Sequence, residues 1–103
     1  MPDSIEMMSI TPNATGLAVV GEIDASTAPA LGTALAAADH HPLVVDLAGV
    51  TFCDSSGLRV LLEAHQRLAD EGRRLVLANP SEVIARLFDV AGVNEHLDVG
   101  HGI

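Results

Sequence analysis

Along the chain, short apolar, β-rich runs give way to stretches in which apolar residues recur at helical spacing. From Ser4 to Ile10 and from Gly16 to Ile23 the residues are short, apolar and β-rich. Between them Thr11-Pro12-Asn13-Ala14-Thr15-Gly16 supplies turn chemistry, so the pattern predicts a hairpin. Asp24-Ala25-Ser26-Thr27 then offers capping side chains, with Pro29 in the first turn that follows. A helix is expected there, with Ala28, Leu31, Leu35 and Ala38 at helical spacing up to Asp39. His40-His41-Pro42 ends it, because proline disfavours helix in the residue before it. Leu43-Val44-Val45-Asp46-Leu47 is a nearly continuous apolar run, which predicts a central strand covered on both faces.

After Ala48-Gly49-Val50-Thr51-Phe52-Cys53 comes Asp54-Ser55-Ser56-Gly57, and then apolar residues at 58, 61, 62 and 68, with His65 in the same stripe. Glu63, Gln66, Arg67 and Asp70 fall on the other face, so this is an amphipathic helix over 56–71, closed by Gly72. Arg74-Leu75-Val76-Leu77-Ala78 reads as the next strand. Asn79-Pro80-Ser81 opens a third helix with Val83, Ile84, Leu87, Phe88 and Ala91 as its buried stripe, stopped by Gly92. His96-Leu97-Asp98-Val99 reads as an edge strand. The order β-β-α-β-α-β-α-β predicts an α/β domain over residues 4–99, with 1–3 and 100–103 as short tails. Its sheet is mixed, the helical crossovers being parallel and the hairpin antiparallel.

Composition narrows the possible uses of this fold. The chain has 103 residues, 49% hydrophobic and 18% charged, and a mean hydropathy of +0.36, values that suit one globular core. No apolar run approaches the roughly 20 residues of a membrane span, and the first residues have no basic segment of a secretory signal. A cytoplasmic location is the expectation. Fourteen acidic residues against five arginines and no lysine give a net charge of −9. That balance argues against a nucleic-acid partner or an anionic membrane surface, each of which needs clustered basic residues. Cys53 is the single cysteine, so no intramolecular disulfide and no CxxC motif can form.

Candidate chemistry concentrates at Asp54-Ser55-Ser56-Gly57, where a strand meets the start of an amphipathic helix. Free N–H groups at a helix start favour an anion, Gly57 admits close backbone approach, and Ser55 and Ser56 can accept or hydrogen-bond a phosphoryl group. Simple capping by Asp54 or Ser55 accounts for the same residues. A serine hydrolase is disfavoured, since neither serine has the flanking glycines of a nucleophile elbow and His65 sits in an apolar stripe. His40, His41, His96 and His101 lack metal-ligand spacing, and Gly100-His101-Gly102 precedes no helix, so no metal or cofactor is expected. Glu22 and Asp24 end one strand and precede a helix, a position from which acids can reach a neighbouring strand–helix turn; capping and solvation explain them equally well.

Together these segments resemble a known family. Gly21-Glu22-Ile23-Asp24, the strand Leu43–Leu47 followed by Phe52-Cys53-Asp54-Ser55-Ser56-Gly57-Leu58, Leu75-Val76-Leu77-Ala78-Asn79-Pro80 and Leu87-Phe88-Asp89-Val90-Ala91-Gly92 look like the STAS domain of bacterial anti-sigma factor antagonists. The D-S-[ST]-G turn between strand and helix is the most specific piece. The resemblance implies a partner-switching regulator and no enzyme. Ser55 would be phosphorylated by a serine kinase that is also the anti-sigma factor, and a serine phosphatase would remove the group. The unphosphorylated form would bind the kinase and free a sigma factor. Asp54 would flank the acceptor, and Ser56 and Gly57 would shape the helix start. Glu22 and Asp24 would lie near the same sheet end, and Arg59 and Glu63 would belong to the docking face. STAS modules also serve as unphosphorylated binding subunits of transporters or stress-sensing assemblies, which is the alternative. Many family members continue into a further C-terminal helix, where this sequence ends at Gly100-His101-Gly102-Ile103. Cys53 stands where the family carries varied apolar residues; it reads as a core thiol, with a redox role as the other reading.

Overall fold

A computed structural model describes residues 7–100. Five strands and three helices alternate after an initial hairpin: β1 Met8–Asn13, β2 Gly16–Ile23, α1 Ala28–Ala37, β3 Leu43–Cys53, α2 Ser55–Asp70, β4 Leu75–Ala78, α3 Glu82–Ala91 and β5 Val99–Gly100. This is the predicted α/β order. The sheet runs β1-β2-β3-β4-β5, with β1 antiparallel to β2 and every other pair parallel. Residues 4–6, the predicted start of the first strand, and 101–103 of the expected tail lie outside the described residues.

Strand order decides where the helices sit. Each crossover, β2 to β3, β3 to β4 and β4 to β5, moves one place in the same direction, and right-handed crossovers of one direction put their helices on one face of the sheet. The burial agrees. Leu31 and Leu35 of α1, Leu61 and Leu68 of α2, and Ile84 and Phe88 of α3 all join one core with Leu17 and Val19 of β2, Leu43, Val45 and Leu47 of β3, and Leu75 and Leu77 of β4. The expectation that β3 is covered on both faces is therefore corrected. Leu43, Val45 and Leu47 are buried while Val44 and Asp46 between them are half-buried, and Val20 and Phe52 are about half exposed at 50% and 46%. β3 is central as predicted, but β4 is the strand buried at all four positions.

Several boundaries differ from the sequence reading, each for a local reason. Thr11, Pro12 and Asn13 belong to β1 and not to the turn, because the hairpin pivots on Asn13, whose side-chain oxygen accepts from the N–H groups of Thr15 and Gly16. β3 continues past Leu47 to Cys53 through irregular pairing with β2, where register shifts fall between Ala18 and Val20 and between Gly21 and Glu22. Such shifts change the period-two alternation, so Val50 and Cys53, each three residues on, still point into the core. α1 ends at Ala37, two residues short of Asp39, and Arg67 and Arg73 donate to the carbonyls of Leu35 and Ala38 there.

Both later helices show the same narrowing of the buried stripe. In α2 Leu58, Leu62 and His65 are half-buried and Ala64 is buried in their place, while α3 buries Ile84 and Phe88 but exposes Val83 and Ala91. A helix on a one-sided sheet needs only a narrow apolar face. Ser81 caps α3 by accepting from the Ile84 N–H, and Gly92 ends it at φ 69°, a conformation costly for residues with a Cβ. The predicted edge strand 96–99 divides into a 3₁₀ turn, Asn94–His96, and β5, which the Arg74–Asp98 ion pair ties to the start of β4.

Core weight should track this one-sided packing. Phe88→Ala is expected to lower unfolding free energy by about 3–5 kcal/mol. Val90→Ala, at a position 81% exposed, should stay within about 0.5 kcal/mol. Urea unfolding of the two variants checks both.

Candidate functional site

Parallel pairing of β2 and β3 builds the site. Ile23 and Cys53, the last residues of the two strands, are register partners, and the Asp54 N–H donates to the Ile23 carbonyl at 3.1 Å. The two strand-to-helix turns, 24–27 and 54–57, therefore start from the same end of the sheet. This brings the Glu22–Asp24 segment beside the Asp54–Gly57 segment.

Asp54 caps α2. Its backbone is extended, at φ −108° and ψ −170°, and its carboxylate accepts from the Ser56 N–H at 2.9 Å and the Gly57 N–H at 3.4 Å. The cap is thus Asp54, which leaves the Ser55 hydroxyl free of that role. Ser55 is exposed and Ser56 half-buried. With Arg59, one turn further along α2, they line a shallow cleft of about 170 Å³.

Gly57 carries a steric requirement. A Cβ added there would lie 2.5 Å from Ile23 Cγ2 and 2.6 Å from Cys53 Sγ, so the first turn of α2 rests directly on the ends of β2 and β3. Only a hydrogen fits between them. Cys53 below it is buried, and its Sγ contacts the Asp54 carbonyl at 3.5 Å. Burial, helped by the negative charge of Asp54, pushes the thiol up to about 11. A protonated, enclosed thiol is a poor nucleophile, which supports the core reading of Cys53.

Asp24 follows β2 as Asp54 follows β3, but it organises the turn and does not cap the helix after it. Its carboxylate accepts from the Ser26 hydroxyl at 2.7 Å, the Ser26 N–H at 2.9 Å and the Thr27 N–H at 3.1 Å. These bonds, the Ser26 hydroxyl foremost, hold its carboxyl below the usual range. Thr27 is the N-cap of α1 but makes no side-chain cap; its hydroxyl donates to the Glu22 carbonyl at 2.9 Å and accepts from the Asp24 N–H. The capping side chains expected for α1 are spent on the turn before it. Glu22 pairs in register with Phe52 and is half-buried.

Glu63 stands apart from this cluster. It lines a separate groove between α1 and α2 with Gly32, Val60, Ala64 and Arg67. Sequence reasoning missed two supporting residues, Ile23 beneath Gly57 and Thr27 beneath the β2 turn; the G-E-I-D segment marked the place but not the packing. Among the described residues no group of three or more His, Cys, Asp or Glu side chains can hold a metal ion, and no helix is long and apolar enough to cross a membrane.

A family model described as "Mlab, STAS domain" matches residues 6–99. The chain belongs to the STAS domain family. An anti-sigma-B factor antagonist of Listeria monocytogenes is 33% identical over 99 residues, covering 93% of this chain and 87% of its own. An anti-sigma factor antagonist from Mycobacterium paratuberculosis superposes with a TM-score of 0.76 at 28% identity, over 97% of this chain and 88% of that one. The Bacillus cell fate determinant SpoIIAA in its phosphorylated form shares the fold, with a TM-score of 0.64 at 18% identity over 89% of each chain. This STAS domain therefore has the architecture of anti-sigma factor antagonists.

Two measurements test the packing beneath the turn. Gly57→Ala should destabilise the STAS domain by about 1–3 kcal/mol in urea unfolding, and a double-mutant cycle with Cys53→Ala should show that removing the sulfur recovers part of the loss. For Cys53 the unfolded thiol ionises near its ordinary 9.0, while the folded one keeps its proton to about 11. Its contribution to stability is therefore complete below about pH 9 and is lost as pH rises towards 11, and alkylation at neutral pH should be slow until the domain unfolds. Cys53→Ala should flatten that part of the stability profile.

Proposed function

We propose that this STAS domain is an anti-sigma factor antagonist switched at Ser55. Unphosphorylated, it binds an anti-sigma factor that is also a serine kinase and so releases a sigma factor; phosphorylated, it lets the kinase go. A serine phosphatase resets it. The observation that carries this reading is the Ser55 hydroxyl itself, exposed at the first turn of α2 and relieved of capping by Asp54. The names of the related proteins support it, as does the existence of a phosphorylated form of one structural neighbour.

In the transfer, the Ser55 Oγ–P bond forms as the bond from the γ-phosphorus to the departing ADP breaks, and the hydroxyl proton passes to a base on the kinase. The chain supplies the acceptor and the docking face; Glu22, Asp24, Asp54, Ser56, Gly57, Arg59 and Glu63 are the residues assigned to that face or to its shape. The catalytic groups belong to the kinase and the phosphatase. Phosphate adds about −1.5 to −2 charges to a turn that already holds the Asp54 carboxylate, in a chain of net charge −9. Repulsion and desolvation of about 3 kcal/mol would weaken docking roughly a hundredfold.

Incubation with ATP and host cytosolic extract, read by intact mass, is expected to add one phosphate to the wild type and none to Ser55→Ala. Ser55→Ala should retain partner binding, and Ser55→Glu should lose it. An extract with active serine kinases that leaves the wild type unmodified would overturn the switch and favour the unphosphorylated binding subunit.

A further inference from the structure

The arginines of this chain are not used alike. Arg67 pairs with Glu71 and donates to the Leu35 carbonyl, Arg73 pairs with Glu71 and donates to the carbonyls of Ala38 and His40, and Arg74 pairs with Asp98. Each of these fastens one element to another. Arg59 does not. It makes no hydrogen bond or ion pair with any described residue, and Glu63, one turn further on, does not engage it. An exposed arginine in so acidic a chain is left with its charge unspent.

Its position is specific. Arg59 follows Ser55 by four residues on the same helix, and the two line one cleft with Ser56. Residues four apart on a helix have Cβ atoms about 5–6 Å apart, and an anion placed N-terminal to a cation at this spacing is the more favourable order. A phosphate on Ser55 would present three acceptor oxygens to a planar guanidinium, a geometry suited to paired hydrogen bonds. Asp54, the nearest acid in the chain, is already committed to the Ser56 and Gly57 N–H groups.

Resting on the reading of Ser55 as phospho-acceptor, we propose that Arg59 captures the Ser55 phosphate in an ion pair within α2. Phosphorylation then does two things to the docking face at once: it adds negative charge and withdraws the one unpaired arginine of α2. A partner that meets Arg59 with a carboxylate loses that contact in the phosphorylated state. Arg59 acts here as a positioning residue, setting the conformation and charge of the phosphoserine.

The test installs phosphoserine at position 55 of the full chain during synthesis, without a kinase, and follows the phosphorus resonance through a pH titration. Acidic groups around the turn, Glu22, Asp24 and Asp54, favour the monoanion, whereas a paired Arg59 favours the dianion. Arg59→Gln is expected to raise the second phosphate ionisation by about half a pH unit or more, with Arg59→Lys intermediate. Arg86→Gln, at an exposed arginine on α3, serves as the control and should leave it unchanged. About 1 M salt should shrink the difference between Arg59→Gln and wild type. Identical titrations for Arg59→Gln and wild type would overturn the proposal. Because the phosphate is installed chemically, failure of any kinase to label Ser55 would count against the switch alone, and an unchanged titration against Arg59 alone.

Discussion

The hydrogen bond from the Asp54 N–H to the Ile23 carbonyl closes the last rung of the parallel β2–β3 pairing, and the site depends on that rung. It sets Ile23 against Cys53, and those two side chains form the floor on which Gly57 rests. From that contact follow the start of α2, the direction of the Asp54 carboxylate and the exposure of Ser55. The turn could not tolerate a bulkier residue at 57 without lifting the helix off the sheet. A small floor and a missing side chain position the serine, whose hydroxyl makes no hydrogen bond with any described residue.

The one-sided sheet has its own effect on the site. With all three helices on one face, the core lies between α1, α2 and α3 and that face of β2, β3 and β4, and each helix needs only a narrow apolar stripe. α2 consequently keeps a long polar flank, from Ser55 and Arg59 towards Glu63, facing solvent. The groove lined by Gly32, Val60 and Glu63 continues this flank towards α1. A partner approaching the start of α2 meets a helix whose opposite side is anchored in the core by Leu61 and Leu68, both fully buried.

Most of this was legible in the sequence because local signals agreed. Asp54-Ser55-Ser56-Gly57 announced a capped helix start, Ser81 and Gly92 marked the ends of α3, and the β-β-α-β-α-β-α-β order constrained the sheet to a mixed one. What escaped was set by pairing between distant segments. Ala48 and Gly49 look like the end of a strand, yet β3 continues through them because its partner β2 slips in register. Five apolar positions on α3 looked equally buried, but a one-sided sheet covers only Ile84 and Phe88. Asp24 was readable as a capping residue; that its carboxylate would organise the turn ahead of α1, leaving Thr27 to tie Glu22 to Asp24, depends on three-dimensional closure of that turn.

The division of labour between Asp54 and Ser55 has a consequence for how the domain can work over time. Neighbouring residues of the same turn hold separate offices: one keeps the helix wound, the other faces outward with nothing to hold. A covalent mark on the second leaves the first in place, so repeated cycles of marking and erasure need not pass through an unwound helix. Signal can be written at one atom while the scaffold two bonds away stays still, which separates the speed of switching from the slower business of folding.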